Sequence, residues 1–130
     1  MPPSNPSKMT LEQIKSEAAL IAALLKYTKR TLCDENLLFY FAKGDPLAIY
    51  DRYVDMKSKS PINIGSGTRR KCEAARASND KTVMKKALTP ARNEIRTLIT
   101  SDIMPKFIKS REYAAYAEPI RRKEANTAVV

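Results

Sequence analysis

The sequence predicts an all-α bundle, and three of its features support this fold class. Apolar residues recur three and four positions apart over long stretches, which is the spacing of one helix face. Alternating β-branched residues, which would indicate strands, are scarce. Hydrophobic residues form 43% of the 130 residues, enough for the core of one domain of this length.

The N-terminal third is predicted to be a flexible tail followed by two helices. The tail covers residues 1–9, and Thr10 then starts a helix with Gln13 as its capping-box partner. That helix is expected to run to a break near Lys29, after which Cys33 or Asp34 caps the second helix. The apolar residues expected to face the core are Leu11, Ile14, Ala18, Ile21 and Leu25 in the first helix and Leu37, Leu38 and Phe41 in the second.

A compact stop-and-start signal separates the second helix from the third. Gly44 suits the left-handed position after a helix, Asp45 suits an N-cap, and Pro46 suits the first helical turn. The third helix is expected to end at 58–61, because the residue before a proline avoids helical backbone. Its two apolar stripes predict burial against more than one neighbour: Leu47, Tyr50 and Val54 on one side, and Ile49, Tyr53 and Met56 on the other.

The second half of the chain is predicted to be a loop over 62–67 and a series of further helices. The next helix covers about 66–77, a break follows at 79–80, and another helix runs over 82–88. Thr89 and Pro90 predict a fresh helix start, and 101–102 predicts a further interruption. The remaining apolar residues complete a domain that ends at 118, before a basic tail over 119–130: Ile95, Leu98, Ile99, Ile103, Met104, Phe107, Ile108, Tyr113 and Tyr116.

The net charge of +10, from 24 basic and 14 acidic residues, favours an anionic partner. The basic residues cluster only at 69–71, 85–86 and 121–123, and aromatic residues are not interleaved with them. This pattern disfavours nucleic acid as the partner, because single strands need aromatic stacking platforms. The cluster at 121–123 could hold the domain near an anionic membrane. Liposome sedimentation with and without anionic lipid would test that expectation.

The absence of histidine excludes several kinds of active site. Ser-His-Asp and Cys-His nucleophiles have no base here, and two cysteines without histidine cannot complete a zinc site. No phosphate-binding glycine loop is present. We therefore predict a binding protein that is not an enzyme and uses no cofactor or metal.

The chain carries no apolar run of 18 residues and no secretion signal, and it has only two cysteines, Cys33 and Cys72. These features predict a cytoplasmic protein with reduced thiols.

Four segments in order resemble the RGS domain, the regulator of G-protein signalling. They are DENLLFY at 34–40, AIYDRY at 48–53, INIGSGTR at 62–69 and LITSDIMPKFIKS at 98–110. The resemblance runs from about residue 20 to residue 116. It implies a nine-helix-type bundle that binds the switch regions of a heterotrimeric G-protein α subunit (Gα). It further implies that the domain accelerates GTP hydrolysis by Gα, and so inhibits signal transduction, without a catalytic residue of its own.

The resemblance also implies which residues bind Gα. Asn63 matches the asparagine that approaches the catalytic glutamine of the GTPase, and Glu35 and Asn36 match a pair that starts a bundle helix. The complete set of implied Gα-binding residues is Cys33, Glu35, Asn36, Asn63, Gly65, Ser66, Arg69, Leu98, Asp102 and Lys106. The implied core positions are Phe39, Tyr40, Ile49, Tyr50 and Phe107.

Departures from the family pattern leave a second function open. Gly65 stands where the family usually has aspartate, Lys106 replaces an arginine, and Cys33 replaces a serine. Tyr40 replaces a frequent tryptophan, and the connection from Phe41 onward is shorter than the family norm. The alternative is therefore an RGS-homology scaffold that binds a protein without accelerating hydrolysis. Either function places the protein in the cytoplasm, with recruitment to the inner face of the plasma membrane.

Overall fold

The computed structural model describes the backbone of residues 9–129 and the side chains of 9–120 and Arg122. These residues form helices and contain no strand, which confirms the all-α prediction. Apart from Met9, the predicted N-terminal tail lies outside the described residues. The helices are α1 (Leu11–Lys15), α2 (Ala18–Arg30), α3 (Asp34–Phe41), α4 (Pro46–Ile49), α5 (Ser66–Ala77), α6 (Lys81–Leu98), α7 (Met104–Phe107) and α8 (Arg111–Val129), with π-helical turns over Tyr50–Val54 and Ile99–Ile103.

The chain divides into two compact units. The second unit spans Cys33–Ile99, and the first consists of the described residues on either side of it. Among the described residues, no helix is long and apolar enough to cross a membrane.

The first unit is built on α2 and α8, which pack along one another. Leu20 and Leu24 of α2 are buried, and the ring of Tyr27 lies 5.7 Å from that of the buried Phe107. Phe107 in turn contacts Tyr113 of α8 edge-on, with centroids 5.4 Å apart. The α8 backbone continues to Val129, so residues 119–129 of the predicted tail are helical.

The start of the first unit confirms one prediction and corrects another. The hydroxyl of Thr10 accepts a hydrogen bond from the Gln13 amide at 3.2 Å, and the Gln13 side chain accepts one from the Thr10 amide at 2.8 Å. The prediction of one uninterrupted helix from Thr10 to Lys29 is wrong. The helical backbone is interrupted at Ser16 and Glu17, which separate α1 from α2. The Ser16 hydroxyl donates to the Gln13 carbonyl at 2.7 Å, the kind of local bond by which serine competes with helix continuation.

Two polar contacts join α8 to α2 and its N-cap. The Arg30 guanidinium pairs with the Glu112 carboxylate, with Nη2 to Oε2 at 3.0 Å, and the Tyr116 hydroxyl donates to Glu17 at 2.6 Å. The Glu112 side chain is only 10% exposed. Hydrogen bonding to Arg30 holds the pKa of Glu112 below its ordinary value.

The lowered pKa of Glu112 predicts a pH-dependent contribution to stability. A depressed folded-state pKa stabilises the fold above the ordinary value of 4.5, and this contribution is lost as the pH falls below it. Glu112→Gln should therefore lower the melting temperature at pH 7, and the difference from wild type should narrow below about pH 4.5.

Thermal unfolding of both proteins between pH 7 and pH 3 measures the effect. Glu118→Gln is the matched control, because Glu118 lies on the same helix in an exposed pair with Arg122, which should contribute little at any pH. A gap for Glu112→Gln that stays constant with pH would contradict the assignment.

The second unit confirms the stop-and-start signal after α3. Gly44, the third residue after the helix, has φ of 110°, a backbone region that favours glycine. The Asp45 carboxylate accepts from the Leu47 amide at 3.0 Å, and Pro46 begins α4. Of the core positions that the resemblance implies in this unit, Phe39, Ile49 and Tyr50 are buried, whereas Tyr40 is half-buried.

Three apolar residues predicted to face the core are exposed: Ala18, Leu38 and Met56. Ala18 is the first residue of α2 and lies off its buried face. Leu38 is 38% exposed, because successive helix residues turn by about 100° and α3 buries Leu37 and Phe39 on either side of it. Met56 is 63% exposed, because the helical backbone ends at Val54. The Asp55 side chain accepts from the Lys57 amide at 2.9 Å and stabilises the turn that replaces the helix.

The helix predicted over 66–77 is confirmed as α5, but two predicted interruptions are wrong. A single helix, α6, runs through Thr89 and Pro90. Burial of apolar residues before and after Pro90 outweighs the backbone hydrogen bond that proline cannot donate. The buried residues keep helical spacing across the proline: Met84, Leu88, Ala91 and Ile95. At 101–102 the chain continues as a π-helical turn.

Candidate functional site

A short loop between the first π-helical turn and α5 presents Asn63, and its backbone is held at several points. Ile62 is buried, and its amide donates to the Tyr53 carbonyl at 2.9 Å. The next amide, that of Asn63, donates to the side-chain oxygen of Asn36 at 3.1 Å. The Gly65 amide donates to Oε1 of Glu94 at 2.8 Å. The loop is therefore fixed to three different parts of the second unit.

Asn36 is a buried polar residue of the first turn of α3, with 1% of its surface exposed. Its oxygen accepts from the Asn63 amide, and its NH₂ group lies 3.5 Å from the Glu35 carboxylate. A buried side-chain amide is costly unless its groups are paired. Asn36 is therefore an anchor for the backbone of the loop.

Arg69, on the first turns of α5, binds the backbone carbonyl of Ile62. Its guanidinium donates to the Ile62 carbonyl at 2.6 Å and to the Val54 carbonyl. The planar fork of arginine can reach two acceptors at once, which suits this bridge between the π-helical turn and the loop. The side chain is half-buried. Arg69 thus links the end of the π-helical turn at Val54 to Ile62 within the loop.

Glu94, on α6, accepts two hydrogen bonds from groups at the start of α5. One of its oxygens accepts from the Gly65 amide and the other from the Thr68 hydroxyl. Gly65 is the N-cap of α5 and has no side chain to cap it. Sequence reasoning missed Glu94. Thr68 stands at the position where a capping box has glutamate or glutamine, so the acceptor for the Gly65 amide comes from another helix.

The side chain of Asn63 is exposed while its backbone is held. A carboxamide offers two donors and one acceptor in one plane. The arrangement therefore presents these groups to solvent from a backbone that is held in place. Among the described residues, no group of three or more His, Cys, Asp or Glu side chains is placed to hold a metal.

The other predicted residues of the second unit lie at helix ends. Cys33 is the half-buried N-cap of α3, and Glu35 is half-buried on its first turn. Ser66 is exposed at the first position of α5, and Leu98 is half-buried at the last position of α6.

Asp102 and Lys106 belong to the first unit and form an ion pair with each other. Nζ of Lys106 lies 3.0 Å from Oδ1 of Asp102, one helical turn apart, and both side chains are more than half exposed. An exposed pair of this kind contributes about 0.3–0.5 kcal/mol. Breaking this ion pair to make contacts with a partner would therefore require little free energy.

Neither Cys33 nor Cys72 forms a disulfide in the described part of the chain. Cys72 is fully buried between α5 and α6, and burial raises the pKa of its thiol. It is a core residue of this unit and not a reactive group.

The comparison with protein families gives one match. The family described as "Regulator of G protein signaling domain" matches residues 10–116, a range that includes every candidate residue named above. A search of curated protein sequences gave no match. The family match spans most of the chain and agrees with its all-helical fold, and the chain therefore belongs to the RGS family, the regulators of G-protein signalling.

Proposed function

We propose that this domain binds the switch regions of a heterotrimeric Gα subunit and accelerates its GTP hydrolysis. The observation that supports the proposal most strongly is the Asn63 loop, in which an exposed carboxamide projects from a backbone held on both sides. The domain supplies no reacting atom. Its role is to bind the transition-state arrangement of the switch regions more tightly than the ground state.

The chemistry requires only differential binding. A Gα subunit already holds the phosphate-binding loop, Mg²⁺, an arginine and a water-orienting glutamine. A partner that prefers the reactive arrangement lowers the barrier by the difference in its binding free energies. A difference of about 2.7 kcal/mol gives roughly a hundredfold acceleration.

The fixed loop makes such a difference attainable. Ordering the backbone of one residue costs about 1–2 kcal/mol. Because Ile62, Asn63 and Gly65 already have paired backbone groups, much of this cost is met on folding and not on binding. Asn63 can then donate and accept at once, to a glutamine side chain and to a switch backbone group.

The remaining candidate residues divide into two roles under this proposal. Asn36 and Arg69 position the loop, since their polar groups are used within the second unit. The proposed direct contacts with Gα are Cys33, Glu35, Asn63, Gly65, Ser66, Leu98, Asp102 and Lys106.

Single-turnover GTP hydrolysis by a panel of Gα subunits, with and without the domain, tests the function. We expect an acceleration on the order of a hundredfold for at least one subunit. Binding should be tighter to Gα loaded with GDP and aluminium fluoride, which mimics the transition state, than to Gα loaded with a non-hydrolysable GTP analogue. Neither binding nor acceleration across the panel would contradict the proposal.

The same measurement separates a second candidate function, a Gα-binding scaffold without acceleration. Two observations favour it: Gly65 offers no side chain to the partner, and Lys106 is paired with Asp102. Equal affinity for the two nucleotide states together with an unchanged hydrolysis rate would identify the scaffold.

A further inference from the structure

We propose that Glu94 is a positioning residue for the Asn63 loop, because its carboxylate reaches from α6 to the Gly65 amide and the Thr68 hydroxyl at the start of α5. The inference rests on the proposed function for its effect on GTP hydrolysis. The contact itself is independent of any partner.

The geometry of Glu94 is that of a helix cap provided by another helix. Its two oxygens accept from the Gly65 amide at 2.8 Å and from the Thr68 hydroxyl. These groups lie at the N-terminus of α5, where backbone amides lack acceptors within the helix and negative charge is favoured. Glu94 is half-buried, so its charge is screened less than that of an exposed carboxylate.

Gly65 and Glu94 also fit each other in space. A Cβ atom at Gly65 would lie 3.3 Å from Oε1 of Glu94, so the carboxylate occupies the space beside this position. The backbone of Gly65 is extended, with φ of −63°, and does not itself require glycine. The absence of a side chain at Gly65 therefore leaves room for the Glu94 carboxylate. An aspartate at 65 would place a second carboxylate at the same helix end.

Loss of the Glu94 contact would affect Asn63 through the backbone of the loop. Asn36 and Arg69 hold the loop at Asn63 and Ile62, whereas Glu94 holds it two residues later. Without Glu94 the segment after Asn63 would be tied only by the start of α5. The carboxamide of Asn63 would then sample more orientations, and fewer would match the transition-state arrangement.

A swap of the carboxylate between the two positions tests the proposal. Glu94→Ala should lower the rate at saturating domain about tenfold, less than the hundredfold cost of a 1 Å misplacement. Glu94→Gln, which keeps an acceptor without the charge, should fall between Glu94→Ala and wild type. Gly65→Asp alone should also be slower than wild type, because two carboxylates then compete for one helix end. The double variant Gly65→Asp/Glu94→Gln should recover most of the wild-type rate.

Two further measurements separate positioning from loss of fold and from loss of the proposed function. Glu73→Gln removes an exposed carboxylate from α5 and should leave both rate and affinity unchanged. NMR hydrogen exchange of the Gly65 amide in the free domain should accelerate in Glu94→Ala, while the amides of the buried core keep their protection. This readout stands even if no Gα subunit responds to the wild-type domain.

Unchanged protection of the Gly65 amide in Glu94→Ala would overturn the inference. A wild-type rate for Glu94→Ala, measured with a responsive Gα, would also overturn it. So would a double variant no faster than Gly65→Asp alone.

Discussion

Replacing Asn63 with alanine is expected to abolish most of the stimulated GTP hydrolysis while leaving the domain folded. Loss of one preorganised hydrogen-bonding group from a reaction centre typically costs a factor of about 10²–10³. The side chain of Asn63 is exposed, and its anchoring bond to Asn36 uses the backbone amide, which alanine retains. The free energy of unfolding should therefore change by no more than about 0.5 kcal/mol. Single-turnover hydrolysis and chemical denaturation of the same protein samples measure both quantities.

Two further variants sharpen the result. Asn93→Ala removes an exposed asparagine from α6 and should keep the full acceleration. Asn63→Asp keeps the shape and the acceptor but loses both donors, so it shows whether donation by the carboxamide matters. Retained acceleration in Asn63→Ala would exclude the proposed role of this residue.

The parts of the fold that could be predicted from sequence are those decided by neighbouring residues. The capping box of Thr10 and the start of α4 at Pro46 depend on side chains within three residues of the backbone groups they bind. The start of α5 at Ser66 follows a loop predicted after the helix stop at 58–61. Local signals failed where burial decided the outcome. At Pro90 the apolar residues of α6 kept their spacing, and the helix continued through the proline.

Sequence motifs name the candidate residues of the site but not the hydrogen bonds between them. Asn36 and Asn63 lie in two different motifs, and the bond between them joins residues 27 positions apart. The bond from Gly65 to Glu94 spans 29 positions and brings in a residue that no motif contains. Tertiary packing determines such pairs, so the sequence names candidate residues but does not say which of them hold the loop.

Replacing Arg69 with alanine is expected to cost both stability and acceleration. The guanidinium donates to the carbonyls of Val54 and Ile62, and hydrogen bonds to charged groups contribute about 1.5–3 kcal/mol. We expect the free energy of unfolding to fall by about 2–3 kcal/mol, since water can reach part of the site. The acceleration should fall as well, because Ile62 directly precedes Asn63. Urea denaturation and single-turnover hydrolysis, at a temperature where the variant remains folded, measure the two losses.

Arg70→Ala is the matched control, because it removes an exposed arginine from the same helix with the same change of charge. Arg69→Lys should restore only part of the stability, since an ammonium group lacks the fork that reaches both carbonyls. If Arg69 acts through the loop, the double variant Arg69→Ala/Asn63→Ala should be no slower than Asn63→Ala alone. Additive losses in rate, or a loss of Gα affinity without a loss of stability, would instead show that Arg69 contacts the partner directly.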